Sequence, residues 1–208
     1  MNKQHTNFES LSYPPLTEDI EEAKTHLDKY GMALISNVLN NDEIDEMDKR
    51  LNEQFLGEEK HKVGSKVRGD EGLGKESSEI EKVSRLVWNL INKGDCFLKL
   101  IDHPKILPLI QHMIGDKVCL CSMGAHMNGS GNEKMALHQD QWPLVPHPMD
   151  FPFMANVMYL ISDNSPENGG TRLIPGSHKW PLIDYRTANG EEIQEKAKTV
   201  PYCYLVLL

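Results

Sequence analysis

The hydrophobic pattern changes its period near Lys117, and this change constrains the fold more than any other feature of the sequence. Before it, apolar residues recur every three to four positions, as on the buried face of a helix. After it, apolar and polar residues alternate, and turn-rich pieces separate the alternating runs. Helices followed by a run of strands is the α+β order. A chain of 208 residues has the length of one domain, so we expect a single domain over 1–208.

The first half of the sequence predicts four helices after an extended arm at residues 1–16. Thr17 is a candidate cap for the first helix, and Gly31 can end it in the left-handed conformation. We predict helices at 17–30, after Asn40 or Asn41, at 78–91 and from Pro104 to Gly115, with a strand at 32–38. The glycine-rich and charged stretch 57–77 predicts a long loop, which is either a mobile surface loop or a lid over a substrate.

The second half of the sequence predicts strands at 118–122, 136–141, 153–161 and 171–174. The apolar run at 202–208 resembles a further strand without partners, which would be a hazard for association.

Charge and hydropathy exclude two classes of partner. The net charge is −9, and binding to nucleic acid usually requires a clustered basic face, so we expect no nucleic-acid partner. No apolar run approaches the roughly 20 residues that span a bilayer, and the N-terminus is polar, so we expect no membrane association and a cytoplasmic protein. The expected assembly is a monomer or a weak homo-oligomer.

His138 and Asp140 are the candidate metal ligands. Strand side chains alternate between faces, so the two would point the same way from the predicted strand at 136–141. They can supply two ligands of a two-histidine, one-carboxylate site, the arrangement that suits non-haem Fe(II) and oxygen chemistry. The alternative is a solvated pair at the end of a strand.

A second stretch, downstream of this pair, makes the pattern more specific. Residues 168–180, Asn-Gly-Gly-Thr-Arg-Leu-Ile-Pro-Gly-Ser-His-Lys-Trp, follow the predicted strand 153–161 and an acidic turn. This ordered set resembles the phytanoyl-CoA dioxygenase family of Fe(II)/2-oxoglutarate oxygenases, most firmly over residues 117–182. The resemblance implies a double-stranded β-helix (jelly roll, cupin-like) core flanked by N-terminal helices. It also implies that Fe(II) is the metal and that 2-oxoglutarate and O2 are consumed while a small organic substrate is hydroxylated.

The resemblance also implies residues that contact 2-oxoglutarate. Asn156 aligns with a family position near the cosubstrate, or it is a hydrogen-bonded core amide. Thr171 offers a hydroxyl to the distal carboxylate, or it is an ordinary strand threonine. Met123 corresponds to a position that lines the cosubstrate in some relatives, although core packing also explains it. Lys82 or Arg85 falls where some members place a lysine, on a helix where a solvated charge is the default.

The third metal ligand is not evident in the sequence. His178, His147 and His126 are available, but the resemblance places the histidine of Pro-Gly-Ser-His in a loop and the distal ligand later in the chain. No histidine follows His178 and no arginine follows Arg186. We therefore expect the C-terminal strands, the third ligand and the arginine that clamps 2-oxoglutarate to be absent from this chain, which by itself would be inactive. The alternative function is a catalytically inactive jelly roll that binds a metal or a small molecule.

Overall fold

A computed structural model of the chain describes residues 10–67, 84–128, 135–138, 140, 151–180, 190–200 and 205–207. Within these ranges the α-helices are α1 (Ile20–Tyr30), α2 (Asn41–Lys60), α3 (Asp95–Leu98), α4 (Leu107–Ile114) and α5 (Glu191–Gln194), with 3₁₀ turns at Leu90–Asn92 and Ser177–Lys179. The strands are β1 (Leu16–Thr17), β2 (Ala33–Ile35), β3 (Ser65–Val67), β4 (Ser84–Trp88), β5 (Gly124–Met127), β6 (Val157–Met158), β7 (Arg172–Leu173), β8 (Lys198–Thr199) and β9 (Leu205–Leu207). Of the helices in these ranges, none combines the length and the apolar character that crossing a bilayer requires.

The described strands form three sheets. The largest has the order β1-β2-β9-β6, in which β1 is parallel to β2 and β9 is antiparallel to both of its neighbours. The strands β3, β4 and β5 form an antiparallel sheet with β4 in the middle, and β7 pairs with β8. The predicted mixture of helices and strands is confirmed. The described strands do not close a barrel.

Helix α1 has the end signals that its sequence suggests, with one shift at the start. Asp19, and not Thr17, is the N-cap: its Oδ1 accepts the Glu22 backbone N–H at 2.9 Å. Thr17 instead belongs to β1, and its Oγ1 accepts the Asp19 N–H at 3.1 Å. Gly31 ends the helix with φ +72°, as predicted.

Helix α2 begins at Asn41 with a complete capping box. The Asn40 side chain accepts the Glu43 N–H at 3.0 Å, and the Glu43 carboxylate accepts the Asn40 N–H at 2.9 Å. The helix continues to Lys60, so the first residues of the predicted loop 57–77 are helical and residues 65–67 form β3. Residues 68–77 of that loop lie outside the described residues.

Three groups of buried side chains hold the layers together. The first packs α1 and α4 onto β2: Ala23, Leu27, Ala33, Ile35, Ile106 and Leu109. The second packs α2 onto β4 and α3: Met47, Leu51, Phe55, Val87, Leu90, Cys96, Phe97 and Leu100. The third places Leu34 against Val200. Strand β2 is buried on both faces because its alternate side chains serve the first and third groups. Burial of such side chains contributes about 1.5–3 kcal/mol each.

The predicted helix 78–91 is wrong over residues 84–88, which form β4. The backbone of β4 pairs with β3 on one side and β5 on the other, and these ladders satisfy the hydrogen bonds that a helix would make internally. Val87 and Leu90 nevertheless enter the same core group, Val87 from β4 and Leu90 from the 3₁₀ turn that follows it, so the burial of both does not require a helix. The helix predicted from Pro104 begins later, at Leu107, and Pro108 occupies its first turn.

The predicted strands of the second half are misplaced or too long. Residues 118–122 are not a strand, and β5 begins at Gly124 instead. The runs 153–161 and 171–174 reduce to β6 and β7. Strands also occur before Lys117, in β1 to β4, so the simple order of helices before strands is wrong. The run 202–208 contains β9, which lies between β2 and β6 and is therefore not the unpaired edge that the sequence predicted.

Gly31→Ala should destabilise the protein. A β-carbon on Gly31 would lie 2.4 Å from His178 Nδ1, and a non-glycine residue in the left-handed region costs about 1–2 kcal/mol before that clash is counted. Gly57→Ala is the matched control, because no atom lies within 4 Å of its added β-carbon and alanine favours a helix by up to about 1 kcal/mol. Urea denaturation should show opposite signs for the two variants. Equal effects would contradict the packing at Gly31.

Val206→Pro should destabilise the protein much more than Leu120→Pro. Val206 is paired with Leu34 of β2 on one side and Met158 of β6 on the other, so proline there removes a ladder bond and leaves an acceptor unpaired, at a cost of about 1–3 kcal/mol. Leu120 lies in a segment without strand pairing. The sequence pattern predicts the reverse order, with a strand at 118–122 and an unpartnered run at 202–208. Thermal unfolding of the two variants decides between them.

Candidate functional site

His138 and Asp140 face each other although they do not lie in a strand. His138 Nε2 is 3.2 Å from Asp140 Oδ1, and both side chains are about half exposed. Residues 135–138 are not part of a β-strand and Asp140 is in a turn, so the predicted strand at 136–141 is wrong for the described residues. The two side chains meet through the turn rather than through strand alternation.

The Ala136 carbonyl orients the imidazole of His138. His138 Nδ1 lies 2.9 Å from Ala136 O, and because a carbonyl only accepts, Nδ1 carries the proton of this bond. Nε2 is left directed at Asp140, the tautomer and orientation that metal-binding histidines commonly adopt.

Asn156 holds the other side of the pair. Its Nδ2 donates a short hydrogen bond to Asp140 Oδ2, so the carboxylate is held on one oxygen by the amide while the other faces His138. When the ring also carries a proton at Nε2, the hydrogen bond from His138 lowers the pKa of Asp140 below its ordinary value; partial burial acts in the opposite direction, and the bond from Asn156 lowers the pKa further. Asp140 is therefore an anion at neutral pH.

The donor set fits a divalent cation. A neutral imidazole that donates through Nδ1 presents a lone pair at Nε2, and this lone pair faces an anionic oxygen. The Nε2 lone pair and the Asp140 oxygen are both acceptors, so they repel each other unless something positive lies between them. That can be a second proton on the ring or a cation that both atoms bind. Imidazole nitrogen and carboxylate oxygen are ligands that Fe(II) accepts. Within the described ranges, no group of three histidine, cysteine, aspartate or glutamate side chains is arranged to hold a metal.

Among the predicted cosubstrate residues, Asn156 contacts this pair. Met123 packs against the core group of α2 and β4, and its carbonyl accepts the Leu90 N–H at 3.0 Å. Thr171 is half-buried beside β7, and its carbonyl accepts the Val200 N–H at 2.9 Å. Lys82 lies outside the described residues.

The alternative histidines have separate surroundings. His178 lies in the 3₁₀ turn Ser177–Lys179, against Gly31, with Nε2 3.4 Å from the Asp28 carbonyl at the end of α1. His126 is part of β5, opposite Leu86 of β4. His147 lies outside the described residues.

The sequence did not reveal two of the contacts that form the site. The carbonyl of Ala136 has no side-chain signature, because every residue carries a carbonyl. The contact of Asn156 with Asp140 joins residues 16 positions apart, and only the fold shows that they meet. Their one visible signal was a polar side chain at position 156 among apolar neighbours.

Comparison with known proteins finds, among others, three relatives that are all named as dioxygenases. The chain is 29% identical over 165 residues to the dioxygenase af480 of Aspergillus fumigatus, covering 79% of this chain and 51% of that protein. It is 29% identical over 118 residues to a probable alpha-ketoglutarate-dependent hypophosphite dioxygenase of Stutzerimonas stutzeri, covering 57% and 40% of the two chains. It is 33% identical over 89 residues to the dioxygenase aneA of Aspergillus aculeatus, covering 39% and 30%.

The chain thus spans about half the length, or less, of the curated relatives it matches. The family model for phytanoyl-CoA dioxygenase (PhyH) matches residues 27–203, a range that runs from α1 to the residues just before β9 and includes His138, Asp140 and Asn156. The match covers most of the sequence, and the chain therefore belongs to the phytanoyl-CoA dioxygenase family.

Proposed function

We propose that the protein containing this chain is an Fe(II)- and 2-oxoglutarate-dependent dioxygenase that hydroxylates a small organic substrate. The observation that carries the proposal is the convergence of His138 Nε2 and Asp140 Oδ1 at 3.2 Å, each held from behind by a separate hydrogen bond. Membership of the family and the name of the Stutzerimonas stutzeri relative support the choice of cosubstrate. When bound, Fe(II) and 2-oxoglutarate supply the oxidising chemistry.

In this proposal the described residues hold and orient the metal. His138 and Asp140 are two of its ligands, Ala136 O fixes the imidazole tautomer, and Asn156 leaves one carboxylate oxygen of Asp140 available. The third ligand, and the basic side chain that pairs with the distal carboxylate of 2-oxoglutarate, come from outside the described residues. The half-exposed position of the pair leaves room for a cosubstrate and O2.

The proposal also extends to the fold and to the remaining candidate residues. We infer that the antiparallel strands β2, β9 and β6, together with β3 to β5, are parts of a double-stranded β-helix. Thr171 and Lys82 remain candidates for contact with 2-oxoglutarate. Met123 is a weaker candidate because its side chain packs in the core group of α2.

His138→Ala or Asp140→Ala should abolish Fe(II)-dependent consumption of 2-oxoglutarate in the natural protein that contains this chain. Each substitution removes a ligand from a site that needs three protein ligands to hold iron with open positions. His61→Ala is the matched control, since His61 is an exposed histidine at the end of α2. The measurement is succinate formation with excess Fe(II). Turnover in either site variant would overturn the proposal, and binding of metal without turnover in the wild type would favour the inactive alternative.

Asn156→Ala should weaken metal binding by about 10–100-fold, the usual effect of losing a partner that orients a metal ligand. The mutation frees Asp140 Oδ2 and lets the carboxylate rotate away from His138. Asn52→Ala is the control, because it removes an amide that bonds only Asp48 on the exposed face of α2. Titration with Mn(II), followed by electron paramagnetic resonance, measures the affinity without turnover. An unchanged affinity would assign Asn156 to the cosubstrate alone.

A further inference from the structure

A cavity of about 240 Å³ lies between the C-terminal end of α2 and strand β4. Its lining includes Phe55, Glu59, Lys62, Arg85 and Leu86, and it contains none of His138, Asp140 and Asn156. It is therefore separate from the candidate metal site. Its volume is below the 300–1,000 Å³ typical of pockets for drug-sized ligands, so a ligand would be small.

The guanidinium of Arg85 makes few hydrogen bonds for a side chain that is largely buried in this cavity. Its side chain is only 25% exposed, yet among the described residues its partner is Glu59 alone, through a single Nη2 to Oε1 contact of 3.4 Å. A guanidinium has five N–H donors in a fork that matches a carboxylate with two parallel bonds. A single long contact leaves most of these donors directed at the cavity or at water. The position of Arg85 is fixed, because β4 is the middle strand of its sheet.

The charges that remain available in the cavity favour an anion. The charge of Glu58 is already balanced by Lys93: its Oε1 accepts from Lys93 Nζ at 3.3 Å and from Gln54 Nε2 at 2.9 Å. Among the described residues no carboxylate pairs with the Lys62 ammonium. Two cations, Arg85 and Lys62, are thus set against the single carboxylate of Glu59.

The apolar part of the lining selects among anions. Phe55 and Leu86 are both buried and form an apolar surface next to the charged groups. A phosphate or sulfate ion would leave this surface without contacts, whereas a short aliphatic chain would cover it. We propose that the cavity is a binding site for a small aliphatic monocarboxylate, with its carboxylate on Arg85 and Lys62 and its chain on Phe55 and Leu86.

In this site Glu59 competes with the ligand for Arg85. The ligand carboxylate forms the two-bond fork that the distant Glu59 oxygen does not, and the guanidinium turns toward it. Removal of the Glu59 charge should therefore strengthen binding, whereas a site for a cation would be weakened by the same change. This opposite response separates the two kinds of ligand.

Titration with butyrate tests the proposal in the full 208-residue chain, with EDTA present and without iron or 2-oxoglutarate, so that its outcome is independent of the proposed function. Chemical shifts of the backbone amides of β4 report binding at constant ionic strength. Arg85→Gln should weaken binding about tenfold or more, the effect of losing a charged hydrogen-bonded pair. Glu59→Gln should strengthen it, and Lys99→Gln, which removes an exposed cation paired with Glu46, should leave it unchanged.

Two further measurements keep the result decisive. Arg85→Lys keeps the charge without the fork and should bind butyrate with intermediate affinity, and circular dichroism checks that each variant is folded. n-Butylammonium has the same chain with the opposite charge and should not bind. Butyrate binding by Arg85→Gln within twofold of the wild type, weaker binding by Glu59→Gln, or preferential binding of n-butylammonium would each overturn the proposal.

Discussion

The position of β9 between β2 and β6 is the constraint on which the candidate site depends. Strand β6 is held in the largest sheet by its pairing with β9, and Asn156 directly precedes β6. Asn156 in turn bonds Asp140, which faces His138. Asn156 thus connects Asp140, and through it His138, to the largest sheet. Strand β9 thereby supports a pair of residues that lie almost 70 positions earlier in the chain.

Strand β2 plays the corresponding role on the other side of β9. It is buried on both faces because α1 and α4 cover one face and Val200 covers the side chain of Leu34 on the other. A strand that is buried on both faces has apolar residues at consecutive positions, as Ala33, Leu34 and Ile35 do. The packing energy of the sheet therefore lies in β2 and the helices above it, whereas Asn156, the partner of Asp140, lies beside β6, two strands away. This separation lets the site stay half exposed without weakening the core.

Local signals in the sequence predicted what depends on neighbouring residues. The left-handed stop at Gly31, the cap at Asn40 and the apolar face of α2 each follow from residues within one or two turns of a helix. Long-range pairing was not predictable in this way. Val87 and Leu90 have helical spacing, but the ladders to β3 and β5 place Val87 in a strand, and Leu90 lies in the 3₁₀ turn after it. His138 and Asp140 do lie side by side, but not through the strand geometry that the sequence predicted.

The stability of the His138–Asp140 pair is a poor explanation for its geometry. A half-exposed ion pair contributes about 0–1 kcal/mol, because water screens the charges and two side chains lose their freedom. Yet both members are also fixed from behind, by Ala136 O and by Asn156, and a pair that served only stability would gain little from such orientation. Fixed directions matter when a third body must be bound, since a metal accepts its ligands along defined axes. The restraint on the pair thus exceeds what folding requires and is in keeping with a ligand role.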